Sequence, residues 1–276
     1  MSVTLEVTIL GCGSSGGVPR ADGAWGACDP SDLRNRRTRC SMMIRRVSAE
    51  EGPERWTTAV VDASPEFRLQ TAAAGTKRLD ALLMTHDHAD QSHGIDDIRA
   101  FAIHQRARIP CLMDGATAET MLRRFGYVFL GEKGYPPIAD IIGIPLHGEP
   151  WRVDGPSGPI PVVTFDQDHG PVRSVGYRFG PLAYSPDVLE LDEAAFAALE
   201  GVDVWIVDAL RYTPHPTHAH VERTLGWIER VKPRRAILTN LHIDLDFMEL
   251  SSRLPEGVEA ATDGQRIELE WAGEIP

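Results

Sequence analysis

LDALLMTHDHADQSHG, residues Leu79 to Gly94, is the stretch on which the reading of the fold turns. Its first seven residues, Leu79 to Thr85, form a compact apolar run that reads as a buried strand. The run empties directly into His86-Asp87-His88-Ala89-Asp90. Side chains two apart share a face of an extended chain, so His86 and His88 can point from the rigid end of a strand into one cavity. Neutral imidazole is a good ligand for zinc, iron and similar ions. A carboxylate two residues on can reach an ion or accept a bond from a ligand imidazole. A single loop histidine is ordinarily solvated or hydrogen-bonded, and His104, His147 and His215 are read that way. A pair leaving a buried strand has little structural excuse and is read as metal-ligating.

Outward from that stretch the chain alternates strands and helices. Upstream, LEVTIL (5–10), CSMMIRRV (40–47) and WTTAVVD (56–62) read as strands, and PEFRLQTAAA (65–74) as a helix with Pro65 at its start and Gly75 past its end. Downstream, helices are expected over 95–105 and 116–129, with a strand at RIPCLM (108–113) between them. Residues 131–158 are rich in Gly and Pro and read as an excursion that shapes a cleft. The rhythm then repeats: strands at IPVVTFD, VRSVGYRF, VDVWIVDA and RRAILT, helices at DEAAFAALE and HVERTLGWIERV, and RIELEW as a closing strand. Two series of strands, each followed by helices, imply sheets packed together with helices outside. His169 follows one of these strands in DQDHGP, and Asp187 follows the strand-like PLAYS. Three histidines and one carboxylate at such exits form a plausible ligand set. Structural zinc sites are usually closed with thiolate and imidazole, and here the cysteines are in other places.

The bulk properties set limits. At 276 residues the chain can form one large domain or two tightly joined halves. No apolar window is long enough to span a bilayer, and MSVTLEVTILGCG lacks the basic and long apolar parts of a secretory signal, so cytoplasm is the default. Cys12, Cys28, Cys40 and Cys111 form no CxxC pair, which argues against both a disulfide framework and a thiolate zinc site. A formal charge of −12 disfavours nucleic acid as a partner. The local exception is RNRRTRCSMMIRR (34–46), whose arginines serve either to hold a small anion or as ordinary surface charge.

HDHAD resembles the first part of the HxHxDH motif of the metallo-beta-lactamase fold. GCGSSGGVP, NRRTRCS, VVDASPEF, THDHADQSHG, the His169 and Asp187 segments, THAHVERTL and AILTNLHIDLD resemble, in order, the phosphoribosyl cyclic phosphodiesterase branch associated with phosphonate breakdown, from about Leu5 to about Leu269. The resemblance implies an α+β, αββα sandwich in which two mixed sheets lie face to face under outer helices, as a single domain over 1–276. It implies that His86, His88 and His169 bind a first metal, that Asp187 bridges to a second and that Asp90 ligates the second. His218 would face the leaving group or the substrate phosphate, Asp62 would orient a ligand histidine from beneath, and Gly11 to Gly17 would form a tight loop beside the cavity.

The chain departs from that pattern at two ligand positions. The motif's last histidine is Gln91, and the late histidine expected after AILT is Asn240. Amides are weak neutral ligands, so Gln91 and Asn240 join Asp62 in the layer behind the ligands. His93 and His242, each two residues further on, are the candidates to replace them, since a displacement of two keeps the face of an extended chain. A single-metal or weakened second site is the alternative. The accessory thiolate zinc of some relatives is not expected, because Cys28 stands alone and Ile243 occupies the place of its histidine.

The expectation is therefore hydrolysis of a phosphodiester, possible substrates including a small cyclic phosphate such as phosphoribosyl 1,2-cyclic phosphate. One or two divalent ions would assist, zinc or manganese before iron. Asp90 and His218 are the catalytic candidates, and Arg37 and Arg39 the substrate-phosphate donors. The partner is a small molecule rather than a membrane, and a homodimer is admissible. The same fold hosts hydrolysis of lactones, thioesters and other carboxyl esters, and a non-catalytic binding descendant is the third reading, given Gln91 and Asn240.

Overall fold

The computed structural model describes residues 3–271. Seven strands build the first sheet: β1 (Val3–Gly11), β2 (Ser41–Val47), β3 (Thr57–Val61), β4 (Ala81–Leu83), β5 (Ile109–Met113), β6 (Ala139–Gly143) and the last strand of the chain, β14 (Arg266–Trp271). The second sheet holds β7 (Pro150–Val153), β8 (Ile160–His169), β9 (Val172–Phe179), β10 (Leu182–Ser185), β11 (Val204–Asp208), β12 (Arg235–Thr239) and β13 (Val258–Ala260). Their spatial orders are β14-β1-β2-β3-β4-β5-β6 and β13-β12-β11-β10-β9-β8-β7. Both sheets are mixed. β14 to β3 pair antiparallel and β3 to β6 parallel. In the second, β7 to β10 pair antiparallel and β10 to β13 parallel.

Strand alternation accounts for the layers. Leu5, Val7 and Ile9 of β1, Ala59 and Val61 of β3, and Ala81 and Leu83 of β4 face Tyr177, Tyr184, Val204, Ile206 and Ile237 of the second sheet in one buried core. The intervening residues point the other way. Val60, Leu82 and Met84 pack with Phe67, Ile95, Ile98 and Met121 beneath α1 (Phe67–Ala73), α3 (Arg99–Gln105) and α4 (Gly115–Leu130). α2 (Ala89–Ser92) is a single turn in the loop after β4. Trp205, Val207 and Leu238 pack with Leu199, Trp227 and Leu250 beneath α5 (Glu193–Leu199), α6 (Val221–Val231) and α7 (Phe247–Arg253). Removing each such Leu, Ile or Val from water contributes about 1.5–3 kcal/mol, which makes these faces the main support of the sandwich. The result is the αββα arrangement expected from the sequence.

The Gly/Pro-rich segment 131–158 is less irregular than its composition suggests. It supplies the outer strand of each sheet, β6 and β7, and so carries the chain from one sheet to the other. Both strands lie at an edge, where Gly and Pro disturb the fewest ladder bonds. Among the described residues no helix is long and apolar enough to cross a membrane.

Candidate metal centre

The site lies along one edge of the sandwich, where strands of both sheets end. Asp62 follows β3, His86 follows β4, His169 closes β8, Asp187 follows β10, Asp208 closes β11 and Asn240 follows β12. The loop after β4 is held by the turn after β3: Ala63 donates to the Gln91 carbonyl at 2.8 Å, and Gly94 donates to the Ala63 carbonyl at 2.9 Å. Gly94 must lack a side chain there, because a Cβ would lie 1.9 Å from the Ser64 carbonyl oxygen. Gly13, in the glycine loop after β1, bridges to Arg39 on one side and Leu241 on the other, joining the ends of the two sheets.

His86, His88 and His169 converge. Their ring centroids are 4.5, 4.9 and 5.1 Å apart, and one ring nitrogen from each lies within 4.8 Å of the others. His86 Nδ1 pairs with Thr85 Oγ1 at 2.9 Å, while its Nε2 is buried without a partner. His169 Nδ1 donates to the Thr217 carbonyl at 2.7 Å, and its Nε2 lies 3.3 Å from His88 Nδ1. Burial, then the neighbouring imidazoles, hold His86 well below the ordinary histidine range. Burial and the nearby His218 bring His169 down to about 3. Three converging imidazoles, one with a buried ring nitrogen left without a partner, fit a divalent transition-metal ion.

Asp62 lies beneath this group. Its Oδ1 accepts from the Thr85 amide at 2.8 Å and its Oδ2 from Thr85 Oγ1 at 2.9 Å. It therefore acts on His86 through Thr85 rather than by direct contact. Burial pushes its carboxyl well above the ordinary range, against the two Thr85 bonds. Its φ of 64° is left-handed, a region where Asp is over-represented among side chains.

Asp187 is buried beside the imidazoles and belongs to a second cluster with His169 and His218. Gln91 Nε2 donates to its Oδ2 at 2.9 Å, and Asn240 Nδ2 approaches its Oδ1 at 3.4 Å. Asn240 Nδ2 also donates to the Pro186 carbonyl at 2.8 Å. His218 Nδ1 donates to Asp208 Oδ2 at 2.7 Å, leaving Nε2 as its free nitrogen. Burial opposes charge on His218, but Asp208, with Asp187 and Asp90 behind it, outweighs that and raises it to about 9. Asp90 is half-buried at the start of α2, close enough for its charge to act on Asp62, Asp187 and His218, but it is in neither ligand cluster.

Four residues singled out in the sequence lie elsewhere. His93 is exposed, pairs with Ser92 Oγ and packs edge-on to Phe125 at 5.3 Å. His242 pairs with Arg20 through Nε2 and lies 2.9 Å from Asp244 through Nδ1. Arg37 is 2% exposed and spends its guanidinium on the carbonyls of His242 and Leu245 and on Asn35, so it braces loops and is not presented to a substrate. Arg39 is partly exposed but ion-paired with Glu66 at 2.6 Å. Cys28 is likewise internal, donating to the Leu245 carbonyl at 3.4 Å. The sequence reading missed Thr85, Thr217 and Asp208. A signal for Asp208 was present: a lone acid ends the apolar strand VWIVD and precedes Ala209, as Asp62 follows VV and precedes Ala63.

Comparison with known proteins agrees with this fold. A family model described as the beta-lactamase superfamily domain matches residues 57–243. A crystal structure described as a new diphosphatase from the PhnP family is 30% identical, with a TM-score of 0.84, covering 98% of this chain and 99% of that one. Zn(2+)-bound PqqB from Methylobacterium extorquens has the same fold at 18% identity and a TM-score of 0.71, covering 96% of this chain and 100% of its own. A curated protein of Porphyromonas gingivalis (strain ATCC BAA-308 / W83) named octanoyltransferase is 27% identical over 275 residues. That match takes in 98% of this chain but 52% of the relative, so the chain spans about half the length of the curated protein it matches.

Proposed function

The chain belongs to the beta-lactamase superfamily and, within it, to the PhnP family, and on that premise we propose that it is a metal-dependent hydrolase of a small phosphodiester. The observation that carries the proposal is the set of three imidazoles converging with an orphaned nitrogen, beside a fourth imidazole held by a buried carboxylate. A divalent ion, zinc or manganese, held by His86, His88 and His169 would supply Lewis-acid charge at a phosphoryl oxygen and lower the pKa of water there.

The residues supply the rest. Thr85 and Thr217 fix the ring orientations of His86 and His169, so that their Nε2 atoms remain acceptors toward the centre. Asp90 orients the attacking water or takes its proton. His218, turned by Asp208, donates from Nε2 to the leaving oxygen or to the phosphate. Arg39 remains a candidate phosphate contact, once released from Glu66. Arg37 is no longer one.

A cyclic phosphodiester such as phosphoribosyl 1,2-cyclic phosphate is the first substrate class to try. A diphosphate linkage is the second, favoured by the relative described as a diphosphatase. Attack at phosphorus with loss of an oxyanion is common to both. The test is steady-state turnover by metal-loaded protein on cyclic and acyclic phosphodiesters, diphosphates, lactones and thioesters. His86→Ala serves as the control. Turnover confined to phosphorus substrates and abolished by that substitution is expected. Turnover of a lactone or thioester with none of the phosphorus compounds overturns the proposal.

A further inference from the structure

We infer that this centre is built for one metal ion, its open side being the three imidazoles and its Asp187 side being closed by the amides of Gln91 and Asn240. The inference rests on the metal-dependent reading above. The two ligand clusters, His86-His88-His169 and His169-Asp187-His218, share His169. His169 Nδ1 is committed to the Thr217 carbonyl at 2.7 Å, so Nε2 is the only nitrogen it can offer. A pyridine-type nitrogen has one lone pair, and two ions cannot be held by it at once.

The Asp187 side already holds two amide donors. Gln91 Nε2 and Asn240 Nδ2 point N–H groups at its two carboxylate oxygens, at 2.9 and 3.4 Å. A second cation on those lone pairs would face the positive ends of both N–H dipoles. Neither amide can turn to offer oxygen without cost. A flipped Asn240 would set its carbonyl against that of Pro186, 2.8 Å from the present Nδ2, and a flipped Gln91 would set its oxygen against the carboxylate. His218 Nδ1 is taken by Asp208 at 2.7 Å. His93 and His242 are engaged with Ser92, Arg20 and Asp244. Asp187 then serves as an acceptor fixed by neutral donors, beside the three imidazoles that hold the single ion.

The test counts and locates ions. Protein stripped with a chelator is reconstituted with zinc or cobalt, metal per chain is measured by mass spectrometry, and the ion is placed by anomalous scattering. Wild type should saturate at about one ion per chain, between the three imidazoles. The double variant Gln91→His, Asn240→His, which removes both amide donors, should take up about two. His is among the residues tolerated at the left-handed φ of 62° at position 240. If that variant does not fold, Gln91→Glu keeps the shape and exchanges a donor for a ligand, and it should also raise uptake. Two ions in the wild-type pocket overturn the inference, as does a folded variant that still takes one. One ion without phosphoester turnover would defeat the proposed function and leave this inference standing; two ions with turnover would do the reverse.

Discussion

Thr85→Val is the substitution that asks most of this geometry, because it removes one oxygen atom and almost no volume. The Thr85 hydroxyl has one proton and pairs with both Asp62 Oδ2 and His86 Nδ1, each at 2.9 Å. The hydroxyl donates its one proton to Asp62 Oδ2 and therefore accepts from His86 Nδ1–H. That order leaves the lone pair of His86 on Nε2, where an ion can use it. Valine leaves two buried polar groups without this partner, and each orphaned group costs about 1–3 kcal/mol. The metal-free protein should therefore lose about 2–6 kcal/mol of unfolding free energy, read from urea denaturation. Loss of an outer hydrogen bond to a ligand should also weaken zinc binding about 10- to 100-fold, read by competition with a chromophoric chelator at fixed pH. Thr85→Ser keeps the hydroxyl and should recover most of the affinity. If valine holds zinc as tightly as wild type and serine is no better than valine, the Asp62–Thr85–His86 chain does not orient the ligand.

The remaining predictions probe single roles. His218→Asn should lower kcat/KM about 10²- to 10⁴-fold for a substrate with an alkoxide leaving group and much less for p-nitrophenolate, which needs no proton; equal losses on both would assign His218 to phosphate contact instead. Arg37→Ala should remove a charged donor from the carbonyls of His242 and Leu245 and lower stability by about 2–4 kcal/mol in urea. The KM of the folded enzyme should change little, whereas a large rise in KM would return Arg37 to the substrate. Gly94→Ala, with its Cβ 1.9 Å from the Ser64 carbonyl, should cost about 3 kcal/mol or more by the same measurement, and a neutral result would mean that the loop after β4 yields freely.

Much of the architecture was legible because it depends on alternation, which a sequence displays. The runs WTTAVVD and VDVWIVDA each place apolar side chains on both faces of a strand, and the structure buries both, one in the inter-sheet core and one under helices. The edge strands β6 and β7 were not legible in the same way. β6 and β7 bury little, carry Gly and Pro, and so read as loop. The convergence of His86, His88 and His169 followed from motif and resemblance. What fixes those rings did not, since Thr217 contributes only a backbone carbonyl, and any residue has one.

The replacement ligands show where strand logic stops. The rule that residues two apart share a face pairs His93 with Gln91 and His242 with Asn240. That rule holds only for extended chain. Residues 89–92 form α2, and two helical residues turn a side chain by about 200°, so His93 leaves the centre for Phe125. At 240 the backbone is left-handed, with φ 62°, and the turn carries His242 to Arg20. The same two local conformations bring Gln91 and Asn240 inward, where each reaches Asp187. A histidine displaced by two therefore cannot stand in for the residue it follows, and the amides that remain decide what the Asp187 side of the centre can bind.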